Sequence, residues 1–322
     1  NVILNRLTPI LLFYFYLSVK IYRSIVFKKG LMIGSVALLS QMFMACSSDS
    51  NGPQSPGEEI ASRVVTARWV AFDGGGQAVE SDSEISDMQA CLFEDGVLTK
   101  VYRGLSVSGD ECTLQVDRTE GNLYMLANTS ALVDWDHLQD SGMTEEEWLK
   151  TVVALPDSKS AGYAVGSVAL ETYADNGGAL PLNLKRGMTR LDLKFNVAGT
   201  ASLSSLTLSG IARSAYLFPQ SEGVKTPEGA LRADTTLVFD EPLSQDASGV
   251  LYLGEQENQG IQVEVVVSFD GESPRRLRKS IEGDLKRNTI YTVTIRKDDI
   301  DIVTRPVLDE WEQGYDTELV PL

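Results

Sequence analysis

The chain has 322 residues, with 45 Asp or Glu against 28 Lys or Arg, a net charge of −17, and a single histidine, His137. So acidic a chain argues against nucleic acid and anionic lipid headgroups as electrostatic partners. One histidine cannot build a His-rich metal centre, and no Gly-x-Ser-x-Gly elbow or phosphate-binding glycine loop accompanies it.

The N-terminal 45 residues stand apart. They carry five cations (Arg6, Lys20, Arg23, Lys28, Lys29), no acid, and two apolar runs. The second run follows Lys28-Lys29 and ends in Phe43-Met44-Ala45-Cys46, the layout of a secretory signal closed by a lipobox-like site. Its stretch from Leu31 to Ala45 is short of the ~20 residues of a membrane span. The expectation is that Cys46 becomes the first mature residue, carries acyl chains and ties the protein to a membrane from outside the cytoplasm. The chain opens on Asn1, so residues 1–18 read as an over-extended start, with the true one near Val19 or Met32. Residues 46–59, rich in Ser, Gly and Pro, read as a flexible tether.

From Ile60 the pattern is that of short strands. Val64–Phe72 alternates and ends at Asp73-Gly74-Gly75-Gly76. Met88–Phe93 and Val97–Tyr102 flank Asp95-Gly96, a hairpin signal because the tight turn needs positive φ. Cys112–Val116 and Asn122–Ala127 follow as strands. Cys91 and Cys112 then fall on neighbouring strands in a compartment that permits disulfides. A bridge would stabilise by ~3 kcal/mol; the other reading is two buried free thiols. Thr144-Glu145-Glu146-Glu147 opens one helix as a capping box, with Trp148, Leu149, Val152 and Val153 as its buried face. Val165–Tyr173 and Leu180–Leu184 return to strand.

A second strand-rich block begins at Thr189–Val197, whose alternation predicts one buried face and one wet face. Leu203–Leu208, Ala215–Phe218, Thr235–Phe239, Val250–Leu253, Ile261–Phe269, Leu277–Ile281 and Thr289–Ile295 continue it. The expected organisation is all-β: a domain over 60–187 and another over 188–322, both sandwiches, with one short helix in the first. Three tryptophans (Trp69, Trp148, Trp311) sit in apolar patterns and read as core. Trp135, in Trp135-Asp136-His137-Leu138, reads as the exposed one. Asp298-Asp299-Ile300-Asp301 lacks the glycine and distal glutamate of a calcium loop and reads as a solvated turn. No catalytic residue, metal site or cofactor is expected, and the protein reads as a non-enzyme.

Five segments carry a resemblance. They are Cys91–Leu98, Gly121–Asn128 ending in Ala-Asn, Arg186–Leu193, Leu285–Ile295 with Arg287-Asn288-x-x-Tyr291, and Val307–Gly314 with Trp311-x-x-Gly314. In this order and spacing, on a lipoprotein, the chain resembles the fimbrillin superfamily of Bacteroidales, the type V pilins, with their FimA-like stalk and FimB-like anchor or accessory subunits. The resemblance implies two tandem transthyretin-like Greek-key sandwiches and a place in a surface fimbrium on the outer membrane. It also implies other pilin subunits as partners through β-strand addition, and a host protein or glycan as ligand. In stalk-type relatives a trypsin-like cut near the first strand opens a groove that a neighbour's terminal strand fills. Here Arg63, between tether and first strand, is the favoured cut, with Arg68 inside the strand as the other arginine. The tail offers a donor strand through Tyr315, Thr317 and Leu319, which fall on one face, before Pro321 ends pairing. An accessory anchor or tip role is favoured slightly over stalk. The alternative function is a surface glycan-binding lipoprotein beside a nutrient importer, which predicts an exposed aromatic platform around Trp135.

Overall fold

The computed structural model describes residues 62–73, 77, 79–155, 162–172, 178–297 and 299–304. Cys46, the tether, Trp311 and the Tyr315/Thr317/Leu319 tail lie outside them. Strand dominates the described chain, as the alternating sequence predicts, and helix is confined to short pieces. Among the described residues no helix is long and apolar enough to cross a membrane.

Of the first nine strands, eight pair in one sheet: β1 (Arg63–Trp69), β2 (Met88–Glu94), β3 (Val97–Tyr102), β4 (Val107–Ser108), β5 (Glu111–Val116), β6 (Asn122–Ala127), β8 (Ala164–Ala169) and β9 (Leu180–Arg186). Their order is β3-β2-β6-β8-β9-β1-β5-β4. Only two residue pairs, Ala164–Arg186 and Val165–Lys185, join β8 to β9. At that corner the sheet folds into two leaves around a shared core. Val65, Ala67 and Trp69 meet Met88, Ala90 and Leu92, Cys112, Leu114 and Val116, and Leu123 and Met125 there. The β2–β3 hairpin turns on Asp95 and Gly96 at φ 50° and 75°, as the sequence predicts.

The other face of β2 and β6 is buried too, so neither strand shows a wet side. Cys91, Phe93, Tyr124 and Leu126 pack beneath two short helices, α1 (Trp135–Leu138) and α2 (Glu145–Leu149). Leu217, Phe218, Tyr252 and Ile290 of the later chain complete this cluster. The predicted capping box opens α2: Thr144 accepts from Glu147 N–H, and the Glu147 carboxylate accepts from Thr144 N–H. The helix is shorter than expected. It stops at Leu149, and Val152–Ala154 forms a strand, β7, whose Val152 is exposed. A second helix, α1, was not expected.

The later chain forms β10 (Met188–Phe195), β11 (Ala201–Ala212), β12 (Ser214–Tyr216), β13 (Arg232–Leu243), β14 (Ala247–Gly254), β15 (Gln262–Phe269), β16 (Arg275–Ser280), β17 (Ile290–Ile295) and β18 (Ile300–Thr304). Two four-stranded sheets result, β14-β10-β17-β18 and β13-β11-β15-β16. They enclose a buried core of leucines, isoleucines and valines with Ala201, Phe269 and Tyr291, drawn from residues 191–300, with Ile302 partly buried against it. The strand β12 pairs with β7 across the two parts of the chain. The β18 strand falls where a charged turn was expected. Asp298 lies outside the described residues, and Asp301 sits in β18 with its carboxylate accepting from Ile302 N–H.

Candidate functional site

The first strand is held in a slot. β1 runs antiparallel to β5 from Arg63–Val116 to Arg68–Glu111, and parallel to β9 from Val65–Leu180 to Trp69–Leu184. Both of its backbone edges are therefore used, and Val65, Ala67 and Trp69 face the core. The strand belongs to the N-terminal end of the described chain, so its insertion between two later strands is a long-range closure.

Arg63 opens β1 and is half-buried; its Nε finds no hydrogen-bond partner among the described residues. Arg68 lies on the outer face, 2.6 Å from Glu111. Between Trp69 and Lys100 the sequence holds no lysine or arginine.

Three edge strands are guarded against pairing. Along β3, Gln139 reaches from just after α1 to accept from Val101 N–H (2.7 Å) and donate to Thr99 O (3.4 Å). Leu98 N–H donates to Met143 O, and Glu145 N–H to Gly96 O. β13 is broken by two register shifts and by Pro242, which has no N–H to offer. β16 carries Arg275, Arg276, Arg278 and Lys279; Arg276 and Arg278 both pair with Glu264.

Behind β1 lies a buried ionic junction that the sequence pattern conceals. Thr189–Val197 was expected to have a wet face through residues such as Asp192. In the structure Arg190 and Asp192 are 1% and 6% exposed. The reason is the segment 79–84, which covers that face of β10 and inserts Asp82. Arg190 donates through Nη1 to Asp82 (2.5 Å) and through Nε and Nη2 to both oxygens of Asp192 (2.8 Å each). The Tyr252 hydroxyl donates to Asp82 at 2.5 Å. Arg186 donates to the backbone oxygens of Asp82 and Val70, and lies over the rings of Phe72 and Trp69. Burial alone would lower the Arg190 pKa; the Asp192 and Asp82 carboxylates more than offset it, holding the guanidinium above its ordinary value. Among the described residues Arg186 has no carboxylate in hydrogen-bond contact, and burial pushes it down to about 10. Asn288, at φ 53°, adds bonds to Ala71 O, Asp73 and Arg186 N–H. The stretch that follows β1 is thus clamped to β9, β10 and the β17 turn.

Of the two cysteine readings the structure has the buried free thiols, and it corrects the exposed reading of Trp135. Cys91 and Cys112 are both buried and unbridged. Cys91 faces the helical cluster and Cys112 the core between the leaves, so strand alternation points them at different neighbours. Burial raises both thiol pKa values. Trp135, expected exposed, is 5% exposed; it packs edge-on against Trp148 and donates from Nε1 to Thr129 O. Its polar neighbours point outward instead. His137 is exposed, 2.8 Å from Asp134, whose carboxylate raises the imidazole pKa. Among the described residues no group of three His, Cys, Asp or Glu is placed to hold a metal.

No protein-family model matches the chain, and no curated protein matches it by sequence. Solved structures do match it. The tip fimbrial protein Mfa3 from Porphyromonas gingivalis, C-terminally truncated, has a TM-score of 0.52 at 12% identity, covering 76% of this chain and 97% of that one. The chain has the fold of a fimbrial protein. A fimbrial assembly protein from Parabacteroides distasonis has a TM-score of 0.48 at 13% identity, over 76% of this chain and 95% of its own. A fimbrilin from P. gingivalis has 0.44 at 10% identity, over 73% and 89%. The all-β fold that the resemblance implies is thus shared with a fimbrial protein at 12% identity.

Proposed function

We propose that the chain is a structural, non-enzymatic subunit of a cell-surface fimbrium. The observation that carries this reading is β1, the first described strand, seated between β5 and β9 in a fold shared with a tip fimbrial protein. Such a slot is the geometry of strand addition, in which backbone hydrogen bonds supply affinity and alternate side chains supply register. The guarding of β3, β13 and β16 supports it, because pairing at those edges is disfavoured. On this reading the protein is exported as a lipoprotein through Cys46, reaches the outer membrane on its 46–59 tether, and folds as two domains over 60–187 and 188–322.

The place of the arginines favours an accessory subunit over a stalk. A trypsin-like cut after Arg63 sheds lipid and tether but leaves Val64–Trp69 on the chain. A cut after Arg68 would remove nearly all of β1, but that bond lies inside a strand paired along both edges; beyond β1 there is no lysine or arginine before Lys100, and the ionic junction clamps that stretch. β1 keeps its own slot, so no neighbour's strand enters. The subunit instead donates its Tyr315, Thr317 and Leu319 strand to a neighbour, which suits the end of a fibre, as anchor or tip. The glycan-importer alternative loses its platform with the burial of Trp135.

Limited trypsin treatment of residues 46–322, with Cys46 replaced, tests this. The expected product begins at Val64 and stays monomeric. Growth of SDS-resistant multimers from the cut protein alone would mean that the slot opens and would overturn the accessory reading.

A further inference from the structure

The pairing of β7 with β12 forms the floor of an open cavity of about 540 Å³. It lies where the earlier and later parts of the chain meet. Lys150 and Val152 come from one side, and Arg213, Tyr216, Gln220 and Leu231 from the other. Backbone bonds hold the two sides together: Leu217 N–H to Thr151 O (2.8 Å) and Leu155 N–H to Arg213 O (2.9 Å). Gln220 adds a side-chain bond to Leu149 O at 2.9 Å. The walls are thus preformed.

The lining has an uncommon mix for this protein. Two exposed large apolar side chains, Val152 at 48% and Leu231 at 78% exposure, sit beside the half-buried Tyr216. Two cations, Lys150 and Arg213, face one acid, Glu228, in a chain of net charge −17. Arg213 is oriented by a bond from Nη2 to the Asp234 carbonyl, and among the described residues no carboxylate pairs with it. Lys150 pairs with the solvent-exposed Glu146, a partner that can turn away. Cavities of this size at junctions, apolar in part with a few convergent polar groups, suit small organic ligands. Arginine adds planar, two-point recognition of a carboxylate. The volume exceeds what a simple anion fills; the Gln220 Nε2 is committed to Leu149 O and Phe218 O, which leaves its Oε1, with the Ser214 hydroxyl, to meet hydroxyl groups.

We propose that this cavity binds a saccharide that carries a carboxylate. Arg213 takes the carboxylate, Gln220 and Ser214 the hydroxyls, and Tyr216 with Leu231 the apolar face of the ring. The assignment is independent of how the subunit assembles.

Saturation-transfer NMR on the full chain tests it, with N-acetylneuraminic acid, glucuronic acid, N-acetylglucosamine and acetate as probes at equal millimolar concentration. At least one acidic sugar should bind saturably, more weakly as salt rises, while the neutral sugar and acetate should not. Arg213→Gln should weaken binding about tenfold or more, the loss of a charge-assisted pair. Leu231→Glu, at a site too exposed to affect folding, should do the same by repulsion. Comparing the two acids tells a sialic from a uronic source, and either supports the proposal. Binding of neither acid, equal binding of the neutral sugar or acetate, or affinity unchanged in both variants would overturn it.

Discussion

Removing Asp82 is the sharpest perturbation of this fold. Its carboxylate is 7% exposed and is shared by Arg190 and Tyr252, each at 2.5 Å. Asp82→Ala leaves the Arg190 guanidinium, 2% exposed, with Asp192 alone, and strips the junction of one of its two carboxylates. Breaking a buried pair in this way costs about 3–5 kcal/mol, because the surviving charge stays out of water. For a chain of this size 1 kcal/mol is ~2–4 °C in Tm, so the melting temperature should fall by roughly 6–20 °C. The control is Glu111→Ala, which removes the exposed partner of Arg68. Such surface pairs contribute ~0–1 kcal/mol, so that variant should melt within about 4 °C of the parent. Differential scanning calorimetry on both variants decides. If Asp82→Ala melts no lower than the control, the junction is solvated and the clamp on the segment after β1 does not exist.

Other expectations follow from single sites. A Cβ at Gly187 would stand 2.1 Å from the Tyr163 ring; Gly187→Ala should destabilise by ~1–3 kcal/mol through overpacking, read by urea denaturation. Cys91 and Cys112 should resist alkylation in the native protein and react fully once unfolded, with no reducible bridge by mass spectrometry; a disulfide mass would refute the assignment. The Glu147 carboxylate is held below its ordinary 4.5 by the Thr144 backbone N–H and hydroxyl. A depressed acid contributes stability that is complete above pH ~4.5 and is lost as pH falls through the folded-state value. An acid titration by NMR should therefore show α2 loosening below that range in the parent but not additionally in Glu147→Gln.

Much of the fold was legible because its signals are local. Asp95-Gly96 needs positive φ whatever surrounds it, and Thr144 with Glu147 caps its own helix. Strand alternation placed β1, β5, β11 and β15 because each buries one face. The failures share one cause, burial imposed from a distance. Arg190 and Asp192 looked wet because alternation assumes an open face, and only the segment carrying Asp82, more than a hundred residues earlier, closes it. Trp135 looked exposed among Asp134, Asp136 and His137, yet four residues of helix suffice to turn it inward while they point out. The cysteine pairing, open in the sequence, is decided by alternation, which turns Cys91 to the helical side of β2 and Cys112 to the core between the leaves. In the candidate site the arginines were visible in sequence, but the occupancy of the β1 slot was not, since it depends on pairing with β9.

The central claim, that this protein is a fimbrial subunit, is tested most directly by shearing surface filaments from cells that make it and quantifying the chain in them by mass spectrometry. It should co-purify with the filaments in amounts well below their main subunit, as an end-placed accessory does. Its absence from the filaments, with the protein retained wholly in the membrane fraction as a free lipoprotein, would mean that it is not a fimbrial subunit.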